Sequence, residues 1–260
     1  MTDNLRGREI SLFIFNKVGY DNRMKILLTN DDGYNALGIN ILREKLAKYG
    51  EVIVVAPYTH MSGKSISITI GEWMKVEKID DATYAVHGTP ADCVSFALAG
   101  LKENFDLVVS GCNNGHNLSY DTLFSGTVGA CLSALMDRKK SVALSAPYDD
   151  FSVLEDSFDE IWEYINKYNL LSDRYLLNIN LPREKSKGIK LGKLYYRQDF
   201  YYFEKKEDMY YALRDVEKTD DMPLEADCRQ VKDGYISIVP VSRVPFNETE
   251  YQELLKKVQG

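Results

Sequence analysis

A chain of 260 residues, 45% of them hydrophobic, can bury one large core or two modest ones and reads as a globular protein. Its formal net charge of -7 argues against a surface built to coat long DNA or RNA, because displacing counterions from a polyanion takes a basic face. Cys93, Cys112, Cys131 and Cys228 show no CxxC spacing, which argues against a zinc ribbon or a disulfide framework and fits a reducing cytoplasm.

Residues 1–23 contain an apolar run too short for a secretion signal or a membrane span, and no later stretch does better. They are expected to form an extension dispensable for chemistry, and no membrane association is expected. From Met24 onward five apolar runs stand out: KILLT (25–29), EVIVVA (51–56), DLVVS (106–110), SVALSA (141–146) and YLLNIN (175–180). They lack period-two alternation, as expected of parallel strands buried on both faces.

Helical spacing lies between them. Ile39, Leu42 and Leu46 form a stripe closed by Gly50. Thr89-Pro90-Ala91-Asp92 has a capping residue, a proline at the first helical position and a carboxylate three residues after the cap. Three further stripes are Val94, Ala97, Leu98 and Leu101; Val128, Cys131, Leu132 and Leu135; and Phe158, Ile161, Trp162 and Ile165. Alternating strands and helices predict an α/β fold, a doubly wound sheet over residues 24–182. After Pro182 the texture becomes aromatic and strand-like, so 183–260 is expected to form hairpins or arms appended to the sheet. Its tyrosines suit packing within hairpins or at a subunit interface, with nucleobase stacking as the alternative.

In open α/β sheets ligands bind beyond the carboxyl ends of the strands. That rule selects Asn30 to Gly33, Pro57 to Ser65 and Gly111 to Thr127. Asp31 and Asp32 exceed what a turn and a helix cap require; at ~4 Å and an effective dielectric of ~20 they would repel by about 4 kcal/mol. They can converge only if the chain turns there, which Gly33 permits. Two carboxylates with neutral oxygens, for which Ser62 and Asn113 are candidates, would suit Mg2+, Mn2+ or Ca2+. The alternative is a plain turn with a cap.

Ser125, Gly126 and Thr127 stand at a helix start and would seat an anion, with simple capping as the alternative. A metal loop and an anion seat on neighbouring strand ends describe a phosphate-ester site. His60 and His116 lie in the selected loops and could donate a proton to a leaving group, although a non-catalytic role is the simpler reading for each; His87 reads as structural. Neither a Walker A loop nor a G-x-S-x-G elbow occurs.

With ILLTNDDG, VVAP with SGKS, HGTPADCV, DLVVSGCNNGHNL, YDTLFSGTVGA and the late TD followed by GYISIVP in order, the chain resembles the stationary-phase survival protein SurE family. The resemblance covers about Lys25 to Ser242. It implies a Rossmann-like, mostly parallel core with C-terminal β-hairpin arms exchanged between subunits, giving a homodimer or tetramer. It also implies a metal-dependent nucleotidase in which Asp31, Asp32, Ser62 and Asn113 bind one divalent cation per subunit, Mg2+ or Mn2+, and Asn117, Ser125, Gly126 and Thr127 surround the phosphate. Leu37, Tyr58, Thr59 and His116 depart from the family's usual residues, which bears on loop shape and substrate preference.

The expected activity is hydrolysis of nucleoside 5'- or 3'-monophosphates, with Asp31 or Asp32 also accepting a proton from water. A covalent aspartyl-phosphate route fits less well, because enzymes of that type use Asp residues two apart. A nucleotide-binding sensor or assembly module without turnover is the alternative outside enzymology.

Overall fold

β1 (Met24–Thr29) forms the spine of the sheet, flanked by β2 (Gly50–Pro57) on one side and β5 (Leu107–Asn114) on the other. The computed structural model describes residues 23–196, 199–216, 221–242 and 248–259. All of the expected extension except Arg23, and the Thr219-Asp220 pair of the late motif, lie outside the described residues.

β3 spans Val76–Asp80, β4 Thr83–Val86, β6 Lys140–Ala146, β7 Tyr175–Asn180, β8 Ile189–Leu191 and β11 Ile236–Ser242. Among the described residues, nine strands make one sheet in the order β3-β4-β2-β1-β5-β6-β7-β11-β8. The register pairs Leu28 with Val54 on one neighbour and with Val109 on the other, both parallel. β11 runs antiparallel to β7 and parallel to β8, so the sheet continues past residue 182. All five apolar runs are strands, and the fold is α/β, Rossmann-like and mostly parallel, as expected.

Successive residues of β1 face opposite layers, which is why the run is apolar without a break from Ile26 to Leu28. Ile26 and Leu28 pack with Ile39, Leu42 and Leu46 of α1 (Leu37–Leu46) and with Phe158 and Trp162 of α5 (Ser152–Lys167). Leu27 faces Cys93 and Val94 of α2 (Pro90–Ser95) and Ala130 and Ala134 of α4 (Gly126–Met136). Helices on both faces make the sheet doubly wound. The start of α2 is the expected capping box: Thr89 Oγ1 accepts from the Asp92 N–H, and Asp92 Oδ2 from the Thr89 N–H.

Three details differ from the sequence reading. Gly50 does not close α1, which ends at Leu46; it opens β2, where an added β-carbon would collide with the Met24 carbonyl oxygen. The stripe through Leu101 does not stay α-helical: after Ser95 the chain widens into a π turn over Phe96–Gly100, closed by the Leu101 N–H on the Phe96 carbonyl. Two short strands extend the sheet beyond β2: β4 pairs with β2, and β3, largely exposed and without an apolar run, forms the edge. In the aromatic region β9 (Asp199–Lys206) and β10 (Met209–Val216) form an antiparallel hairpin outside the main sheet.

Candidate active site

Chain order reverses between β1 and β5: β2 and β4 lie to one side of β1, while β5, β6 and β7 follow on the other. The loops leaving β1 and β5 therefore diverge over a crevice, the usual ligand position in this architecture. Asp31 and Asp32 follow β1, and Asn113 and Asn114 end β5.

Asn30 folds the first loop. Its Nδ2 donates to the Gly33 carbonyl at 2.9 Å and its Oδ1 accepts from the Gly33 N–H at 3.1 Å, while Gly33 adopts a φ of 114° that side-chain-bearing residues avoid. The turn is thus satisfied by Asn30 and Gly33, and the two carboxylates are left for other partners.

Asp31 is only 2% exposed, and its Oδ1 accepts from the Thr127 hydroxyl at 2.5 Å. Burial pushes its pKa above the ordinary value, the Thr127 hydrogen bond opposes that shift, and the charge of Asp32 adds to it. Asp32 is held from the other wall, its Oδ2 accepting from the Asn114 backbone N–H at 3.0 Å. Each carboxylate therefore has one oxygen anchored by a donor from another loop. Asp31 Oδ2 and Asp32 Oδ1, the latter 3.5 Å from His60 Nδ1, are the candidate oxygens for a cation.

Asn113 adds a third. Its Nδ2 donates to the Gly115 carbonyl at 2.8 Å, whereas its Oδ1 is buried with no hydrogen-bond partner in the protein. A buried carbonyl left unsatisfied costs about 1–3 kcal/mol, a penalty that a cation would remove. Among the described residues no three His, Cys, Asp or Glu side chains gather into a metal-holding group, and a cation held here would draw on two carboxylates and a neutral amide oxygen. That set fits a hard divalent cation. Ser62 sits on an exposed loop that is tied to the site by the Met61 N–H donating to the Asp31 carbonyl at 2.7 Å.

The start of α4 leans directly on Asp31. An added β-carbon at Gly126 would stand 2.8 Å from Asp31 Cβ and 2.9 Å from its Oδ2, so only glycine permits this approach. Ser125 Oγ caps the helix by accepting from the Val128 N–H at 3.1 Å. Asn117 is engaged beneath the loop: its Nδ2 donates to Ser145 Oγ, its N–H to Asn180 Oδ1, and its carbonyl accepts from Asn178 and Asn180. Thus Asp31, Asp32, Gly126 and Thr127 converge, Ser125 acts as the cap, and Asn117 is spent on a buried asparagine network.

Of the histidines, His60 Nδ1 lies 3.5 Å from Asp32 Oδ1 with its ring mostly exposed. His116 Nε2 instead contacts the Leu181 carbonyl at 2.7 Å. His87 is stacked on Tyr58 with centroids 4.2 Å apart and contacts Glu77 at 2.7 Å, in keeping with a structural role.

Two participants escaped the sequence reading. Asn114 contributes a backbone N–H, which no side-chain motif can announce. Asp227, at the start of α6 (Asp227–Lys232), is fully buried and accepts from the Ser119 N–H at 2.8 Å, tying the C-terminal region to the loop between β5 and α4. Its only signal was a carboxylate beside apolar Ala226 and Cys228.

Comparison with known proteins agrees with this architecture. The profile of the family described as Survival protein SurE matches residues 26–200. A protein of Kosmotoga olearia named 5'-nucleotidase SurE is 36% identical over 251 residues, covering 91% of this chain and 99% of that protein. One of the same name from Haemophilus influenzae is 38% identical over 242 residues, covering 89% and 95%. The crystal structure of the SurE protein from Aquifex aeolicus superposes with a TM-score of 0.75 at 32% identity, covering 91% of this chain and all of that one. A family profile spanning the strands that build the crevice, together with relatives above 30% identity along nearly the whole length, establishes that the chain belongs to the SurE family.

Proposed function

We propose that this chain is a divalent-metal-dependent phosphomonoesterase that releases phosphate from nucleoside monophosphates. The single observation that carries the reading is the adjacent pair Asp31 and Asp32, braced by the Thr127 hydroxyl and the Asn114 N–H at the β1/β5 crevice, with the unsatisfied Asn113 Oδ1 on the residue before that N–H. The name shared by the relatives, 5'-nucleotidase, supports the substrate class.

Asp31, Asp32 and Asn113 would hold one cation, Mg2+ or Mn2+, with Ser62 approaching from the exposed loop. When bound, such an ion polarises a phosphoryl oxygen and lowers the pKa of water. The chain's own residues supply the rest. Gly126 brings the first turn of α4 close enough for backbone N–H groups to meet phosphate oxygens, with Ser125 and Thr127 beside them. Asn117 contributes from below by fixing the loop between β5 and α4. Asp32, less buried than Asp31, is the carboxylate we assign to accept a proton from the attacking water.

The β9–β10 hairpin exposes Tyr201, Tyr202, Phe203, Tyr210 and Tyr211, each more than half exposed. An isolated two-stranded hairpin with this much apolar surface gains stability by packing against another chain, so a homodimer or tetramer joined through the hairpin is part of the proposal. Four free, buried cysteines fit residence in a reducing cytoplasm. No described helix is long and apolar enough to cross a membrane.

The deciding experiment is phosphate release from a panel of 5'- and 3'-nucleoside monophosphates with Mg2+, Mn2+ or chelator. Metal-dependent release that is lost in Asp31→Asn and Asp32→Asn is the expected result. Nucleotide binding without release under every metal condition would instead identify a sensor or assembly module.

A further inference from the structure

The Asn114 N–H orients Asp32 from outside its own loop, and what orients Asn114 lies on a third loop. Asn114 Nδ2 donates to Asp149 Oδ1 at 3.0 Å, and the Asp149 N–H returns a hydrogen bond to Asn114 Oδ1 at 2.7 Å. This two-bond clasp joins the end of β5 to the loop after β6. It holds Asp149 at a φ of 57°, a conformation that Asp tolerates better than most residues. The loop after β6 is itself braced, with Asp150 Oδ1 accepting from the Ser152 N–H at 3.0 Å and its hydroxyl at 2.7 Å, and the Gly115 N–H donating to the Ala146 carbonyl at 3.0 Å.

The clasp matters because β5 is irregular where it meets the site. Its pairing with β6 shifts register between Ser110 and Asn113 and resumes only for the pairs Asn113–Ser145 and Asn114–Ala146, so the last peptide planes of β5 are held by a two-residue ladder at the end of the strand together with the clasp. The peptide linking Asn113 to Asn114 carries the N–H that holds Asp32 and adjoins the side chain whose Oδ1 is unsatisfied. Fixing that one plane sets donor positions on both walls of the crevice.

We propose that Asn114 and Asp149 are positioning residues that aim Asp32 and Asn113 at the cation, through hydrogen-bond geometry and not through the charge of Asp149. The inference rests on the metal-site reading given under Proposed function. Partners of this kind usually change metal affinity by 10- to 100-fold. They hold the ligands in place before the ion arrives.

The test is Mn2+ binding to the untagged full chain by titration calorimetry, with the metal-free melting temperature recorded for every variant. Asn114→Ala and Asp149→Ala should each weaken Mn2+ binding about tenfold or more, and the double variant should be no worse than Asn114→Ala alone. Asp149→Asn keeps both an acceptor oxygen and the backbone N–H, so it should restore affinity to within a few-fold of the parent. If Asp149→Asn is as weak as Asp149→Ala, charge and not geometry is responsible and the proposal is overturned. Parent-like binding by Asn114→Ala overturns it as well. Asp32→Asn separates the two levels: loss of binding there with unchanged Asn114→Ala rejects only the clasp, whereas parent-like binding by Asp32→Asn rejects the metal-site reading itself.

Discussion

Thr127 donates its hydroxyl to Asp31 across 96 residues of chain, joining the first turn of α4 to the loop after β1. The residue that the sequence presents as part of a phosphate seat therefore also belongs to the carboxylate pair. A hydrogen bond to a charged group contributes about 1.5–3 kcal/mol. Thr127→Val should accordingly raise the Mn2+ concentration for half-maximal activity as well as weaken inhibition by free phosphate. Thr127→Ser should preserve both, and separate titrations of metal and phosphate will check this.

Gly126→Ala places a methyl group 2.8 Å from Asp31 Cβ and 3.1 Å from Pro90 Cγ. Overpacking of this kind costs about 1–3 kcal/mol, and here the strain falls on a carboxylate proposed to hold the cation. The variant should melt a few degrees lower and lose most activity at every metal concentration. An active, normally metallated Gly126→Ala protein would show that α4 does not lean on Asp31 in solution.

Asp31 should make metal stabilisation depend on pH. Burial raises its folded pKa above the ordinary 3.8, so as pH climbs past 3.8 the unfolded chain releases this proton before the folded one does. Metal-free stability gained from the protonated form is complete below 3.8 and is lost as pH rises through the raised folded value. A cation needs the ionised carboxylate and offsets that loss. The rise in melting temperature on adding Mn2+ should therefore grow from pH 4 toward neutrality in the parent, and much less in Asp31→Asn.

The cysteines should be silent. All four are buried, with burial pushing Cys131 up to about 12 and Cys93 and Cys112 well above their usual value. A thiol reagent at pH 8 should label none of them until denaturant is added. Because unfolded thiols ionise near 9.0 and burial holds Cys93, Cys112 and Cys131 protonated to higher pH, stability should fall as pH rises above 9. Rapid labelling of the native protein would mean that the α2 and α4 layer opens readily.

Removing β9 and β10, residues 199–216, takes away an apolar hairpin that contributes no strand to the main sheet. Light scattering should show a lower oligomeric state than in the parent, with the far-ultraviolet spectrum of the core retained. An unchanged solution mass would place the subunit contact elsewhere.

The buried strands and the layer they imply were legible because a strand covered on both faces must be apolar throughout, and β1, β2, β5, β6 and β7 all fulfil that condition within a few residues each. The turn at Asn30 to Gly33 was legible for the same local reason: its hydrogen bonds close within three residues. Asp31 and Asp32 could be singled out because adjacent charges need a partner. Which donors meet them was decided elsewhere. The Thr127 hydroxyl and the Asn114 N–H act across 96 and 82 residues, and their partners come into range only when β5 and α4 pack beside β1; the Asp227 carboxylate likewise accepts from the Ser119 N–H across 108 residues. Local sequence determines where the chain is extended, helical or turning, since those choices rest on neighbouring dihedrals and periodic burial. The tertiary structure alone decides which oxygen faces a donor and which is left open, because that depends on the relative placement of loops whose residues have no local energetic reason to meet.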